Sequence, residues 1–99
     1  MKIDRLVVQE CVHIGEREDM KDGVLYLSRR FGIAIHMCAC GCRVQTVTPI
    51  EKPHGWDFFE GPHGPTLRPS IGNQRLPCKS HYWVTDGAIV WCADSPTQA

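Results

Sequence analysis

The sequence has no excess of charge of either sign. Its 99 residues contain 11 Lys plus Arg and 11 Asp plus Glu. Nucleic acids and anionic membranes are polyanions, and a protein that binds them usually presents a positive field. Here the basic residues are scattered, apart from the short run "SRR" at 28–30. We therefore expect neither nucleic acid nor a membrane among the partners.

Long apolar runs are also missing. The longest, such as "LVV" and "AIVWC", fall far below the roughly 20 residues that a membrane span requires. The N-terminal stretch "MKIDRLVVQECV" carries charges where a signal peptide has its apolar segment. We therefore expect a cytoplasmic protein. In that reducing compartment its six cysteines indicate thiols, metal ligands or catalysis rather than disulfides.

Helical periodicity is absent from every segment longer than about ten residues. Short candidate strands lie instead at 5–14, 24–28, 32–38 and 43–49, and the middle segment with most of the prolines reads as loop-rich. In "HYWVTDGAIVWC" the pair Asp86-Gly87 suits a two-residue hairpin turn, which would place His81 opposite Cys92. These features predict one small, mainly antiparallel all-β domain over 1–99, with a motif core at 23–92 and a frayed tail at 93–99.

The densest group of possible metal ligands lies in "HMCACGC", residues 36–42. On a regular strand, alternate side chains stand about 6.6 Å apart, whereas thiolates around one zinc ion lie within about 4 Å of each other. A straight strand therefore cannot bring these ligands to one ion. We predict that the chain turns at Gly41, between an incoming strand "GIAIH" and a returning strand "RVQTV".

A second ligand pair is predicted in "CKSHYW", where the spacing C-x2-H is that of zinc knuckles. Joint ligation with the thiol loop would clip the middle segment onto the sheet. For the other cysteines, Cys11 and Cys92, we expect burial as small apolar residues. The expected Zn²⁺ ligands are Cys40, Cys42, Cys78 and His81, with Cys38 and His36 as competitors for the same places.

The motifs "GVLYLS", "AIHMCACGCRVQTVTP", "TLRPSIGN" and "PCKSHYWVTDGAIVW" resemble a small bacterial family over residues 23–91. Genes of that family accompany E1, E2 and ubiquitin-like genes. The resemblance implies a peptidase that removes a ubiquitin-like protein from its conjugates, which would be the partners. The segment "EKPHGWDFFEGPHGP" departs from the shorter middle segment of the family. The matching positions are His36, Cys38, Cys40, Gly41, Cys42, Ser70, Cys78, Ser80, His81, Tyr82 and Trp83.

The favoured function is a zinc-dependent hydrolase. The metal would lower the pKa of a bound water toward 7, and His36 would handle protons beside it. Asp57 or Glu60 is an alternative base. Ser80, beside His81, is a further catalytic candidate, although adjacent residues on a strand point to opposite faces.

Two other functions stay open. In one, four ligands close the zinc site, and the metal only staples a β module that binds a protein partner. In the other, Cys38 is the nucleophile of a cysteine peptidase with His36 or His81 as base. We rank the cysteine peptidase lower because neighbouring zinc-bound thiolates would disfavour a second thiolate.

Overall fold

The computed structural model describes residues 2–73 and 76–95. Within these ranges the regular structure is β-strand, apart from the 3-10 turn Arg17–Asp19, and no helix is long and apolar enough to cross a membrane. The strands confirm the predicted all-β class. They are β1 Val7–Glu10, β2 Val24–Ser28, β3 Ile33–Met37, β4 Gln45–Pro49, β5 Asp57–Gly61, β6 Gly64–Gly72, β7 His81–Thr85 and β8 Ala88–Trp91.

The strands form two four-stranded sheets in chain order, β1-β2-β3-β4 and β5-β6-β7-β8. Strands β1 and β2 are parallel, and every other neighbouring pair is antiparallel. Side chains that alternate along the strands bury one face of each sheet in a shared core. This core includes Leu25 and Leu27 of the first sheet and Leu67 and Val84 of the second, all without solvent exposure.

The β7–β8 hairpin has the predicted register. Tyr82 pairs with Trp91 and Thr85 with Ala88. The turn residues have positive φ angles, +47° at Asp86 and +85° at Gly87, as a two-residue hairpin turn requires. Residue pairs that face each other on this hairpin therefore share one face of the second sheet.

Gly87 also lies against the backbone of the β5–β6 turn. A Cβ atom here would be 2.5 Å from the carbonyl oxygen of His63 and 3.1 Å from Gly64 Cα. Because the positive φ adds strain, we expect Gly87→Val to lower the free energy of unfolding by about 1–3 kcal/mol in chemical denaturation. Gly15→Ala is the matched control, since its Cβ would meet only side-chain atoms at 3.4 Å or more. Equal stability of the two variants would contradict this reading of the turn.

The proline-rich middle segment contains more strand than its composition predicts. Asp57–Gly61 and Gly64–Gly72 form the β5–β6 hairpin, and β6 runs for nine residues. Its pairing with β7 shifts register between Leu67 and Ile71, the stretch that contains Pro69 and Ser70. A bulge tolerates a proline inside a sheet and redirects the neighbouring side chain. This irregularity positions Ser70.

Candidate functional site

The thiol loop between β3 and β4 curls as its glycine predicts. Cys38 N donates to Val44 O at 2.9 Å and closes the base of the loop. Gly41 N donates to Cys38 O at 3.0 Å, and Gly41 has a φ of +90°. The alternating cysteines of a would-be strand are thereby gathered around one point.

Four cysteines meet at that point. The Sγ atoms of Cys38, Cys40, Cys42 and Cys78 all lie within 4.8 Å of one another. Cys38 Sγ is 3.5 Å from Cys40 Sγ and 3.8 Å from Cys78 Sγ, and Cys42 Sγ is 3.9 Å from Cys78 Sγ. Tetrahedral coordination with Zn–S bonds of 2.3 Å requires sulfur separations of about 3.8 Å. This four-cysteine group could therefore hold a metal ion, and its donors suit zinc.

Polar side chains surround the sulfurs. Ser80 Oγ donates to Cys78 Sγ at 3.2 Å, and Asn73 Nδ2 donates to Cys38 Sγ and Thr46 Oγ1, each at 3.3 Å. Burial raises the pKa of the Cys38 thiol. At Cys78 burial opposes ionisation, but hydrogen bonds from Ser80, Cys40 and Cys38 together outweigh it and lower the pKa to about 7. Such donors orient and stabilise thiolate ligands.

The two histidines proposed for this site lie elsewhere. His81 points away from the four-cysteine group, and Cys38 supplies the fourth sulfur in its place. His36 is fully buried, with Nε2 2.8 Å from Tyr82 Oη and with Nδ1 lacking a hydrogen-bond partner among the described residues. Burial lowers the pKa of His36 to about 4. The structure thus brings together three of the four expected ligands, Cys40, Cys42 and Cys78, with the competitor Cys38.

His81 is part of a different constellation. Its Nε2 is 2.9 Å from Ser70 Oγ, and its Nδ1 is 2.8 Å from Asp94 Oδ1. Ser70 lies in the β6 bulge, His81 begins β7, and Asp94 follows β8. The imidazole links a hydroxyl to a carboxylate through its two nitrogens, in the same order as in a Ser-His-Asp catalytic triad. The group is open to solvent, with 25% of the His81 side chain and 63% of the Asp94 side chain exposed.

Two members of this triad, Ser70 and Asp94, are not among the catalytic residues that the sequence predicts. The sequence predicts Ser80, whose side chain is buried against the cysteine sulfurs on the other face of the chain from His81. Ser70 was present only as a motif position of the resembling family. Asp94 fell in the predicted frayed tail, yet the neighbouring Ser95 Oγ accepts a hydrogen bond from His81 N at 3.2 Å. The remainder of that tail, 96–99, lies outside the described residues.

The alternative bases do not join either group. Asp57 and Glu60 are exposed on β5, and neither belongs to the metal-type clusters of the described residues. The alternative nucleophile, Cys38, is buried inside the four-cysteine group. Of the catalytic candidates in the sequence interpretation, only His81 therefore has a geometry that suits catalysis at the surface.

Three exposed apolar side chains, here called the exposed apolar patch, lie on the same face of the second sheet as His81. They are the cross-strand pair Trp83 and Val90, 37% and 48% exposed, and Phe59 on the edge strand β5, 58% exposed. Trp83 is two residues from His81 on β7 and therefore points to the same side. The guanidinium of Arg68 covers the Trp83 ring at 5.0 Å from its centroid. The triad thus borders a surface that is able to contact another protein.

Comparison with known proteins agrees with this geometry. No curated protein and no solved structure matches the chain. The model of one protein family, described as "bacterial ubiquitination-like system serine protease (BubE)", matches residues 12–92. That range contains the four cysteines, Ser70 and His81, and confirms the resemblance to proteins of ubiquitin-like conjugation. Because the match covers most of the sequence, the chain belongs to the BubE family of serine proteases of bacterial ubiquitination-like systems.

Proposed function

We propose that this protein is a serine peptidase that releases a ubiquitin-like protein from its conjugates. The observation that carries the proposal is the hydrogen-bonded series Ser70–His81–Asp94, with distances of 2.9 and 2.8 Å. The family assignment supports both the serine chemistry and the ubiquitin-like partner. The positions of these three side chains indicate their catalytic roles.

The triad divides the reaction into acylation and deacylation. Ser70 Oγ attacks the scissile carbonyl carbon while Nε2 of His81 takes the hydroxyl proton. Asp94 accepts the hydrogen bond from Nδ1–H, which holds the ring in the required tautomer and stabilises the imidazolium. His81 then gives the proton to the leaving group. In deacylation a water molecule attacks the acyl carbon while His81 Nε2 takes its proton, and His81 returns this proton to Ser70 Oγ as the ester bond breaks. The product carboxylate leaves and Ser70 regains its proton.

The four-cysteine group has a structural role in this proposal, and its metal is zinc. A zinc ion with four protein ligands has no open position for a reacting water. Its ligands would join the thiol loop to Cys78, which lies three residues before His81. When bound, the metal supplies a cross-link at the start of the strand that carries the catalytic base.

This assignment replaces the zinc-dependent mechanism that the sequence favours. The proposed base of that mechanism, His36, has no solvent exposure, and neither has Ser80. A group that exchanges protons with a protein substrate has to reach it. His81, with 25% of its side chain exposed, meets that requirement, so we place the chemistry on the outer face of the second sheet.

The experiment is hydrolysis of purified ubiquitin-like conjugates, with an ester linkage and an amide linkage tested side by side. We expect release from at least the ester, which has the better leaving group, and covalent capture of Ser70 by a phosphonate probe. The opposite result is a protein that binds the conjugate, releases nothing from either linkage and resists labelling by the probe. This result would contradict the peptidase function and favour a module that binds a protein partner.

The exposed apolar patch is the proposed docking surface for the ubiquitin-like part of the substrate. We expect Trp83→Ala to raise the KM for a protein conjugate about 10-fold with little change in kcat, because one lost apolar anchor weakens uniform binding. Turnover of a small ester should be unchanged. Phe31→Ala is the matched control, since Phe31 is 47% exposed in the turn between β2 and β3. Equal losses on the small ester and the conjugate would overturn this docking surface.

A further inference from the structure

A second group of metal-ligand type lies at the triad itself. Ligand atoms of His81, Cys92 and Asp94 all lie within 4.8 Å of one another. Cys92 stands opposite His81 on the hairpin, and its N–H donates to His81 O at 3.0 Å. The side chains of this cross-strand pair therefore share a face. Asp94, two residues further on, brings its carboxylate to 2.8 Å from His81 Nδ1.

The donors of this group are an imidazole nitrogen, a thiol sulfur and a carboxylate oxygen. Zinc accepts all three, and three protein ligands plus a water molecule make a common zinc site. Magnesium and calcium prefer oxygen ligands in larger numbers. Asp94 is 63% exposed on its side chain, so an ion has access from solvent and the carboxylate is free to adjust. The group is separate from the four-cysteine group, which Ser80 contacts from the other face.

We propose that His81, Cys92 and Asp94 form an inhibitory zinc site; this inference rests on the proposed function. A zinc ion held between Asp94 and Cys92 would coordinate the lone pair of His81 Nδ1. Coordination releases the Cys92 thiol proton to solvent and leaves the proton of the neutral ring on Nε2. In that tautomer Nε2 donates to Ser70 Oγ and has no lone pair to accept the hydroxyl proton. Zinc binding and catalysis therefore exclude each other.

The experiment begins with protein that already carries one structural metal per chain. Zinc is then added while binding and hydrolysis of a conjugate are followed together. We expect a second equivalent to bind and hydrolysis to fall by at least about 10²-fold, since enforcing the wrong histidine tautomer in a serine protease lowers kcat by about 10⁴. A mild chelator should restore the rate. Magnesium at the same concentration should leave it unchanged.

Cys92→Ser is the decisive variant because Cys92 takes no part in the triad. We expect it to keep the basal rate, to bind only the structural metal and to escape zinc inhibition. Cobalt in the second site should give a thiolate charge-transfer band that this variant lacks. Cys11→Ser is the matched control, a partly exposed free cysteine on another part of the surface. It should behave like the parent protein in every measurement.

Two results would overturn the site. One is a second equivalent of zinc that still binds to Cys92→Ser with unchanged affinity, and the other is undiminished zinc inhibition of that variant. If the parent protein hydrolyses no conjugate, the zinc titration still decides the site. A second equivalent of zinc that binds to the parent protein but not to Cys92→Ser supports the site. In that case only the peptidase assignment fails.

Discussion

Replacement of Ser70 by alanine is expected to lower hydrolysis of a ubiquitin-like conjugate by about 10³-fold or more while the protein stays folded and metal-loaded. The expectation follows from the position of Ser70 Oγ, 2.9 Å from His81 Nε2, because loss of the nucleophile leaves only binding and charge stabilisation. Steady-state rates, metal analysis and thermal melting of the same preparation are the measurements. Labelling by a phosphonate probe should vanish together with activity.

Ser80→Ala is the matched comparison for Ser70→Ala. Ser80 Oγ donates to Cys78 Sγ at 3.2 Å, so its loss should weaken metal binding, by about 10–100-fold for a side chain that supports a ligand. Reconstituted with one zinc ion per chain, the Ser80 variant should hydrolyse the conjugate at close to the parental rate. A metal-loaded Ser80→Ala protein as inactive as Ser70→Ala would remove the argument for Ser70 as the only nucleophile.

Much of the fold can be predicted from the sequence because its turns and strands depend on residues that are close together in the chain. The Asp86-Gly87 turn and the alternation around it determine the register of the β7–β8 hairpin. The need to bend a thiol-rich strand predicts the turn at Gly41, and with it the meeting of Cys40 and Cys42. In each case the physical requirement concerns residues within a few positions of one another.

The identity of the fourth cysteine depends on a backbone detail that spacing does not reveal. Lys79 has a φ of +49°, and its N–H donates to Leu76 O at 3.0 Å, so a turn separates Cys78 from the strand that His81 begins. Ser80 contacts the Cys78 sulfur, whereas the adjacent His81 points to the opposite side, toward Ser70. The C-x2-H spacing is compatible with a shared metal, but this turn separates its two members.

The triad cannot be predicted from local patterns because its three residues lie in separate segments of the chain. Ser70 owes its position to a register shift in β6, in a segment whose prolines predict a loop. Asp94 lies beyond the last strand, where small polar residues give no signal of order. His81 begins the first strand of the β7–β8 hairpin and Asp94 follows the second, so their contact depends on the pairing of the two strands. No local pattern encodes this arrangement.

Removal of the metal from the four-cysteine group is expected to unfold much of the domain. The binding free energy of structural zinc at such sites is about 10–16 kcal/mol in small domains, and most of it is folding free energy. We expect Cys78→Ala to lose the metal and to lower the melting temperature by more than about 10 °C, since 1 kcal/mol corresponds to about 4–8 °C in a domain of this size. Cys11→Ala, outside the group, should melt within a few degrees of the parent.

A strong chelator that strips the four-cysteine group should therefore abolish peptidase activity, although the proposed metal does not touch the substrate. His81 begins the strand that follows Cys78, so loss of the metal cross-link would displace the catalytic base as well. Inactivation by a chelator consequently does not distinguish a metalloprotease from this serine peptidase, whereas exchange of the metal does. One equivalent of cadmium per chain, bound by the same four thiolates, should restore both melting temperature and hydrolysis to within a few-fold of the zinc protein. A cadmium protein that is fully folded but inactive would contradict the structural role and place the metal in the reaction.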